Sequence, residues 1–292
     1  MTKKSKGRFE VNSDKHLKLS KIPVEMKSFY KSEDHYKALL EEKKIFLEEY
    51  QTRLYADHSR SLLIVFQGMD TSGKDGAIKH VMSGVNPQGC VVISFKEPTS
   101  IELDHDFLWR VNMNLPTRGQ IGIFNRSYYE DVLITRVHPK LLKKGFISSS
   151  KKLGKNFWKD RYQDITNHEH YLHRQGYKIV KIFIHISKEE QKKRLLERFQ
   201  DSKKLWKISE GDFQERRYWK EYQTAYEDCI RNTSSKYCPW YIVPGDDKKN
   251  ARLIIAEIVV DSLKEMGLKY PKLAPEERLK LEKLKSLLEK KD

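Results

Sequence analysis

The residues with the clearest chemical pattern form the segment GMDTSGKDG at positions 68–76. It has the G-x-x-x-x-G-K spacing of a phosphate-binding loop, in which glycines let successive backbone N–H groups turn toward a phosphate. Lys74 supplies a mobile positive charge, and the start of a following helix adds positive potential. The segment therefore predicts a phosphate site. Its other expected contacts are Gly68, Met69, Thr71, Ser72, Gly73, Asp75 and Gly76.

Two carboxylates stand in this loop, although a carboxylate repels a phosphate. Asp75 occupies the position after the lysine, where Ser or Thr usually binds magnesium, and Asp70 lies inside the loop. Acids at these positions are compatible with phosphate binding if a divalent cation lies between them and the phosphates. We expect Asp70 to face the metal or to orient the substrate, and the sequence assigns Asp75 no definite role.

A second phosphate-binding element is expected after a short apolar run, in the segment FNRSYYEDVL at positions 124–133. Asn125 stands where a Walker-B strand normally ends in Asp, so it brings no charge to a metal. Asp70, Glu130 and Asp131 then remain as candidate metal ligands. Arg126 can bind a phosphate through two parallel hydrogen bonds, and a structural salt bridge is the alternative.

The charge distribution predicts an extended anionic partner. The 292-residue chain carries 57 Lys and Arg against 41 Asp and Glu, a net charge of +16, and the segment 136–161 alone contributes nine cations against one acid. A solvated surface charge is the alternative for each cation, Arg194 among them. The candidate contacts to this anionic partner are Asn125, Arg136, Lys151, Lys152, Arg161, Arg198, Lys203, Lys204, Arg216 and Arg217.

Other classes of protein fit the sequence poorly. No run reaches the roughly 18 apolar residues of a membrane span, and the Lys-rich start has no apolar segment behind it, so we expect a soluble cytoplasmic protein. The three cysteines suit neither a disulfide framework nor a zinc knuckle. The cluster His168-Glu169-His170 lacks the spacing of a zinc helix, because Leu172 stands where the second histidine should be.

Apolar runs alternate with helical patterns along the chain, which predicts an α/β fold with a parallel sheet and helices on both faces. Five strands are expected, at 61–66, 90–95, 121–124, 178–186 and 240–243. The main helices are expected at 32–55, 104–112, 158–175, 189–200 and 212–231. The phosphate loop then falls between the first strand and a helix, as its chemistry requires.

Several motifs together resemble the polyphosphate kinase 2 family. They are the loop at 68–76, the segment at 124–133, the segment DSKKLWKISEGDFQERRYWKEYQTAYE at 201–227, and similar stretches at 86–110 and 238–248. The resemblance covers about residues 30–265. It implies a P-loop kinase core like that of thymidylate kinase, with a helical lid. The expected parts are a basic N-terminal arm (1–30), a kinase domain (31–270) with the lid at about 187–235, and a C-terminal amphipathic helix (271–292).

Members of this family move the terminal phosphoryl group of inorganic polyphosphate onto a nucleotide, or the reverse, with Mg²⁺, and Mn²⁺ is an alternative. Asn125 resembles the branch that uses both AMP and ADP. The expected substrates are polyphosphate and adenine nucleotides, with guanine nucleotides as an alternative, and a homo-oligomer is implied. The acceptor oxygen is already ionised, so no general base is needed. We expect Asp70, Lys74 and Arg126 to be catalytic.

Two other functions remain open at this stage. An ATP-dependent P-loop kinase acting on a small acceptor has the same core, although the basic segment 136–161 favours a longer anion. A nucleic-acid-binding protein also fits the charge and the aromatic residues, but the sequence has no recognisable reader motif or zinc module. The sequence leaves open whether the phosphate loop holds the polyphosphate or the nucleotide.

Overall fold

A computed structural model describes residues 6–11, 16–144 and 156–289. Its centre is a six-stranded sheet with the spatial order β1-β6-β5-β2-β4-β3. The strands are β1 (Glu10–Val11), β2 (Ser61–Gln67), β3 (Cys90–Ser94), β4 (Ile121–Asn125), β5 (Tyr177–His185) and β6 (Trp240–Pro244). The α/β class and the five predicted parallel strands are confirmed.

The sheet has one strand more than the sequence predicts. Strand β1 pairs antiparallel with β6, where Glu10 lies opposite Tyr241 and Val11 opposite Trp240. A two-residue strand carries no alternating pattern of its own, because its conformation depends on the edge with which it pairs. The expectation of five strands was therefore incomplete at this edge.

Helices cover both faces of the sheet, as predicted. Helices α1, α2 and α10 share one hydrophobic core with the sheet, and α5, α6 and α9 share the other. The helices are α1 (Glu33–Asp57), α2 (Lys74–Val81), α3 (Ser100–Leu103), α4 (Trp109–Asn112), α5 (Glu130–Val137), α6 (Phe157–Arg174), α7 (Lys188–Gln200), α8 (Glu210–Arg217), α9 (Trp219–Thr233), α10 (Lys248–Glu265) and α11 (Pro275–Glu289).

Two helices that the sequence predicts as continuous are interrupted in the structure. The helix expected at 104–112 is replaced by α3 and α4, and between them the Asp106 carboxylate accepts the Leu108 backbone N–H at 2.9 Å in a turn. The helix expected at 212–231 is broken at Tyr218 into α8 and α9. Helical spacing of apolar residues runs through a short break, so a periodic pattern cannot locate one.

The central strand β2 brings the phosphate loop to the edge where the site forms. All seven of its residues are buried, and it pairs in parallel with β4 and β5. The carboxyl ends of parallel strands meet at one edge of a sheet, which is where α/β proteins bind ligands. The loop that follows β2 therefore lies beside Asn125 and Arg126, which end and follow β4.

The two ends of the described chain differ in how they pack. The Leu19 backbone N–H, before α1, donates to the Glu227 carboxylate at 2.9 Å, and the Phe29 N–H donates to the Asn250 side chain at 2.9 Å. Helix α11, in contrast, is exposed along its whole length. None of the helices in the described ranges is both long enough and apolar enough to cross a membrane.

Asp247 stabilises the start of α10 and supports a prediction about stability. Its carboxylate accepts the backbone N–H groups of Lys249 at 2.9 Å and Asn250 at 3.1 Å, and the hydroxyl of Tyr30 at 2.9 Å. Asp247→Ala removes these acceptors, so we expect the free energy of unfolding to fall by about 1–2 kcal/mol in urea denaturation. Asp247→Asn keeps a capping oxygen and should lose much less. Equal stability of the two variants would show that the cap contributes nothing.

Candidate active site

The phosphate loop joins β2 to α2, and its path depends on unusual backbone angles. Gly68 has φ +152°, and a Cβ there would lie 2.8 Å from the Ile184 carbonyl oxygen. Gly73, at φ +101°, is the residue before α2, and Thr71 also has a positive φ of 62°. Glycine is the residue that adopts such angles without strain. The loop therefore follows a path that most sequences cannot take.

Side chains hold five consecutive backbone carbonyls of this loop. The Lys74 ammonium donates to the carbonyl oxygens of Gly68 at 2.7 Å and Met69 at 3.2 Å. From α7, the Gln191 amide donates to the Asp70 carbonyl at 3.1 Å. The Arg194 guanidinium, also from α7, donates to the carbonyls of residues 71 and 72 at 3.1 and 2.9 Å. The carbonyl side of the loop is thus fixed by the protein itself.

The first turn of α2 faces the same loop. The first N–H groups of a helix have no partner within the helix, so they are available to an anion. Lys74, the first residue of α2, is buried; burial and the nearby charge of Arg126 lower the pKa of its ammonium to about 8, while Asp70 and Glu130 oppose this shift. A phosphate placed here would meet a positive and poorly hydrated environment.

A second cation, Arg126, lies across the loop from Lys74. Its guanidinium donates to the Asp70 carboxylate at 2.7 Å. Burial alone would lower its pKa, but Glu130 and Asp70 raise that pKa above the ordinary value, so Arg126 stays charged. Burial raises the pKa of Glu130, against the opposing charges of Arg126 and Lys74. Two cations and two carboxylates therefore converge beside the loop.

Asp75 is held by Asn125, a residue for which the sequence alone predicts no partner within the protein. The Asn125 amide donates to the Asp75 carboxylate at 2.8 Å, and the Lys207 ammonium lies 3.5 Å from it. Burial would raise the pKa of Asp75, but the Asn125 hydrogen bond and the charges of Lys207 and Lys74 bring it below its ordinary value. The residue in the Walker-B position thus contacts the residue in the Ser/Thr position.

A cavity of about 770 Å³ opens next to Arg126, between β3, α3, α5 and α6. Its wall is apolar at Phe107, Ile134 and Leu142, and cationic at Arg126, Arg110 and Arg161. The same wall carries six carboxylates, those of Glu97, Glu102, Asp104, Asp106, Glu130 and Asp131. Ligand cavities usually measure about 300–1,000 Å³ and combine an apolar lining with a few convergent polar groups. The volume and apolar lining suit a ligand with an aromatic part, and an anionic part of that ligand would have to lie at the three arginines rather than at the carboxylates.

Three predicted residues lie away from the phosphate loop. Asp131 forms an ion pair with Arg161 at 3.0 Å; burial raises the pKa of Asp131 to about 6, against the charges of Arg161 and Arg110. The Arg161 guanidinium stacks 4.1 Å from the centre of the Phe107 ring, at the cavity wall. Arg136 binds the Asp228 carboxylate on α9 at 2.8 Å. The structure therefore groups Asp70 and Glu130, but separates Asp131 from them.

The cations expected in the lid differ in their contacts. Arg198 donates to Asp212 at 2.7 Å, and Lys204 pairs with Asp201 at 2.7 Å. Arg216 donates to the Gln191 side-chain oxygen at 2.8 Å and so supports a residue that holds the loop. Lys203 and Arg217 are exposed. Lys151 and Lys152 fall in positions 145–155 of the basic segment, outside the described residues.

Sequence reasoning missed four contributors to this site: Gln191, Arg194 as a loop anchor, Lys207 and Arg110. The sequence predicts Arg194 to be a lid cation, with a solvated surface charge as the alternative. In the structure Arg194 is buried and binds backbone carbonyls. The spacing of Gln191 and Arg194 places them on one face of α7, a signal that points to a shared neighbour. It does not say which segment of the chain that neighbour is.

The donor set beside the loop fits a divalent cation. Asp70 and Glu130 are two carboxylates next to a phosphate site, and Mg²⁺ is commonly bound by one or two carboxylates with phosphate oxygens and waters. Within the described ranges no three His, Cys, Asp or Glu side chains converge on one point. The histidines of α6 lie elsewhere, where His170 and His173 pack against the ring of Tyr237.

Comparison with known proteins places this arrangement in a family. The family model described as Polyphosphate kinase 2 (PPK2) matches residues 30–271. The chain is 47% identical over 280 residues to the ADP-polyphosphate phosphotransferase of Rhodopseudomonas palustris, covering 96% of this chain and 97% of that protein. It is 43% identical over 225 residues to the AMP/ADP-polyphosphate phosphotransferase of Meiothermus ruber, covering 77% and 80% respectively.

Solved structures agree with this match. The crystal structure of Polyphosphate Kinase 2 from Arthrobacter aurescens TC1 superposes with a TM-score of 0.83 at 36% identity, covering 95% of this chain and 96% of that one. The family match spans β2 to α10 and so includes the phosphate loop, the Arg126 turn and the cavity. The chain therefore belongs to the polyphosphate kinase 2 family, as the phosphate loop, the neighbouring cations and these matches together show.

Proposed function

We propose that this protein transfers the terminal phosphoryl group of inorganic polyphosphate onto AMP, ADP or both, in a reversible reaction. The observation that carries the proposal is the position of Arg126, which lines a nucleotide-sized cavity and donates to Asp70 of the phosphate loop that Lys74 also holds. Phosphoryl transfer asks the protein mainly to place two anions in line and to neutralise their charge. The site supplies both requirements.

The nucleotide is assigned to the cavity. Phe107, Ile134 and Leu142 form an apolar surface for the base, and Arg110 and Arg161 lie where the phosphates of a nucleotide would need cations. Polyphosphate is assigned to the phosphate loop, with the cations of the segment 198–217 along its path, and Lys207 already touches the loop at Asp75. Arg126 lines the cavity and contacts the loop residue Asp70, so it lies between the two substrates.

The reaction needs no proton transfer from the protein. An oxygen of the acceptor phosphate attacks the terminal phosphorus of polyphosphate, and the bond from that phosphorus to the bridging oxygen breaks. The electron pair remains on the shortened polyphosphate. Lys74 and Arg126 hold the transferring group and offset its negative charge. Asp70 and Glu130 would hold Mg²⁺, or Mn²⁺ as the alternative, and this ion supplies further charge neutralisation when bound.

Helices α7 to α9 are proposed to act as the lid, within the expected segment 187–235. They cover the loop through Gln191, Arg194 and Lys207. The N-terminal arm (1–30), the kinase domain (31–270) and the C-terminal helix (271–292) remain proposed divisions of the chain. A homo-oligomer is also proposed, because α11 exposes apolar side chains at Leu281, Leu284 and Leu288 that a second copy could cover.

The proposed activity determines which nucleotides the protein should phosphorylate. With long-chain polyphosphate and Mg²⁺, we expect the purified protein to convert AMP to ADP and ATP, and ADP to ATP, as separated by ion-exchange chromatography. The Lys74→Ala variant, purified the same way, controls for contaminating adenylate kinase. ATP from ADP alone would keep the family chemistry and contradict the AMP branch. No conversion by folded protein in either tube would favour an ATP-dependent kinase.

The ammonium group of Lys74 is expected to set the pH above which the rate of the reaction falls. Because the pKa of its ammonium is lowered to about 8, the residue loses its charge as pH rises through that value. We therefore expect kcat/KM, which reports the free enzyme, to fall above about pH 8. Lys74→Arg does not titrate in this range, so its weaker kcat/KM should stay flat there. An unchanged alkaline decline in Lys74→Arg would assign that decline to another group.

If the cavity binds the nucleotide and the phosphate loop binds polyphosphate, substitutions in the two regions should raise the KM of different substrates. Arg161→Lys keeps the charge opposite Asp131 but loses the planar guanidinium that stacks on Phe107. We expect KM for the nucleotide to rise about tenfold, or about 1.4 kcal/mol, and KM for polyphosphate to stay unchanged. Lys203 is exposed, and the Lys203→Ala variant should show a raised KM for polyphosphate and an unchanged KM for the nucleotide. The reverse result in both variants would exchange the two assignments.

A further inference from the structure

A buried polar network lies behind the turn that carries Arg126, and of its members Tyr128 also lines the cavity. We call it the Glu169 network, formed by Tyr128, Tyr129, Glu169, Lys181 and Thr233. Lys181, on β5, has no exposed surface, and Glu169, on α6, is 1% exposed. A buried ion pair of this kind is an unusual feature of a core and needs a physical reason.

Every donor and acceptor in the network is used. The Lys181 ammonium donates to the Glu169 carboxylate at 2.7 Å, the Tyr129 hydroxyl at 3.0 Å and the Thr233 carbonyl at 2.7 Å. The second Glu169 oxygen accepts the hydroxyls of Tyr128 at 2.7 Å and Tyr129 at 2.6 Å. The network thereby joins four elements: the start of α5, helix α6, strand β5 and the end of α9.

Stability alone is a weak reason to keep this ion pair. Removing two charges from water costs several kcal/mol per ion, and well-packed apolar residues of similar volume often replace a buried pair without loss of stability. A fully satisfied buried network does, however, fix the positions of the groups that it joins. The groups fixed here are two consecutive tyrosines, only two and three residues after Arg126.

The turn at Arg126 has an energetically unfavourable backbone that its surroundings must hold. Arg126 has φ +64°, a left-handed conformation that is unfavourable for a residue with a side chain. On the strand side, its N–H is bonded to the Phe66 carbonyl at 3.0 Å. On the other side, the Ser127 hydroxyl accepts from Gln67 at 3.2 Å, and the two tyrosines anchor on Glu169. Strained residues persist where the structure over-determines them.

We propose that Glu169 and Lys181 are positioning residues for Arg126: through Tyr128 and Tyr129 they hold the turn that aims its guanidinium at the transferring phosphoryl group. The inference rests on the proposed phosphotransferase activity. Neither residue lines the cavity or contacts the phosphate loop. Glu169 and Lys181 therefore act on the reaction only through the two tyrosines and the turn that these hold.

The test is a double-mutant cycle measured by kcat for polyphosphate-driven ATP formation. The variant Glu169→Met/Lys181→Met replaces the ion pair with apolar side chains and leaves the tyrosine hydroxyls without their acceptor. A misplacement of about 1 Å can cost about 10²-fold in rate, so we expect kcat to fall between about 10- and 100-fold. In an Arg126→Lys background the same pair of substitutions should change kcat by less than about threefold.

The matched control is the ion pair of Lys43 and Glu257, which lies between α1 and α10 on the other face of the sheet. Its two charged atoms are 3.0 Å apart, and its side chains are 13% and 6% exposed. Lys43→Met/Glu257→Met should therefore keep kcat near the wild-type value, whatever its effect on Tm. An equal loss of kcat in the control would assign the effect to general destabilisation and overturn the proposal.

The remaining outcomes of the cycle also have defined consequences. An equal factor in both Arg126 backgrounds, or an effect on KM alone, would overturn the positioning role. If Glu169→Met/Lys181→Met does not fold, Tyr129→Phe removes one hydroxyl from Glu169, at a residue outside the cavity lining, while keeping the ion pair, and the same cycle decides. Absence of turnover by the wild-type protein would overturn the proposed function together with this inference, whereas the other failures overturn the inference alone.

Discussion

The site depends on five backbone carbonyls, those of residues 68–72, that are held by side-chain donors from Lys74, Gln191 and Arg194. A loop that binds an anion must present N–H groups, and its carbonyls then need partners elsewhere, since buried backbone groups are costly when unpaired. Because two of these donors come from α7, the loop has its shape only when that helix is packed on it. Helix α7 is therefore part of the phosphate site.

Charge balance is the second feature of the arrangement. Lys74 and Arg126 face Asp70 and Glu130 in a partly buried region, where charges interact more strongly than in water. The carboxylates keep the two cations ordered, and in the proposed function they would also hold a divalent ion. The charge of that ion would offset the carboxylates and leave Lys74 and Arg126 to face the polyanionic substrates.

The turn after β4 connects the parts of the molecule that have to act together. Asn125 contacts Asp75 of the loop, Arg126 contacts Asp70 and lines the cavity, and the two following tyrosines reach into the core. Four adjacent or nearly adjacent residues thus contact the phosphate loop, the cavity and the core of the sheet. Arg126 has a left-handed backbone conformation directly after the strand.

The sequence by itself determined the α/β class, the five parallel strands and the phosphate loop, because glycine spacing and apolar runs are local signals. It also identified Lys74, Asp70 and Arg126, which the structure brings together. Only the tertiary structure decided that Asp131 faces Arg161, that Arg194 holds the loop and that β1 adds an edge strand. These depend on contacts between residues far apart in the chain, such as the 122 positions between Ser72 and Arg194, for which a local pattern carries no signal.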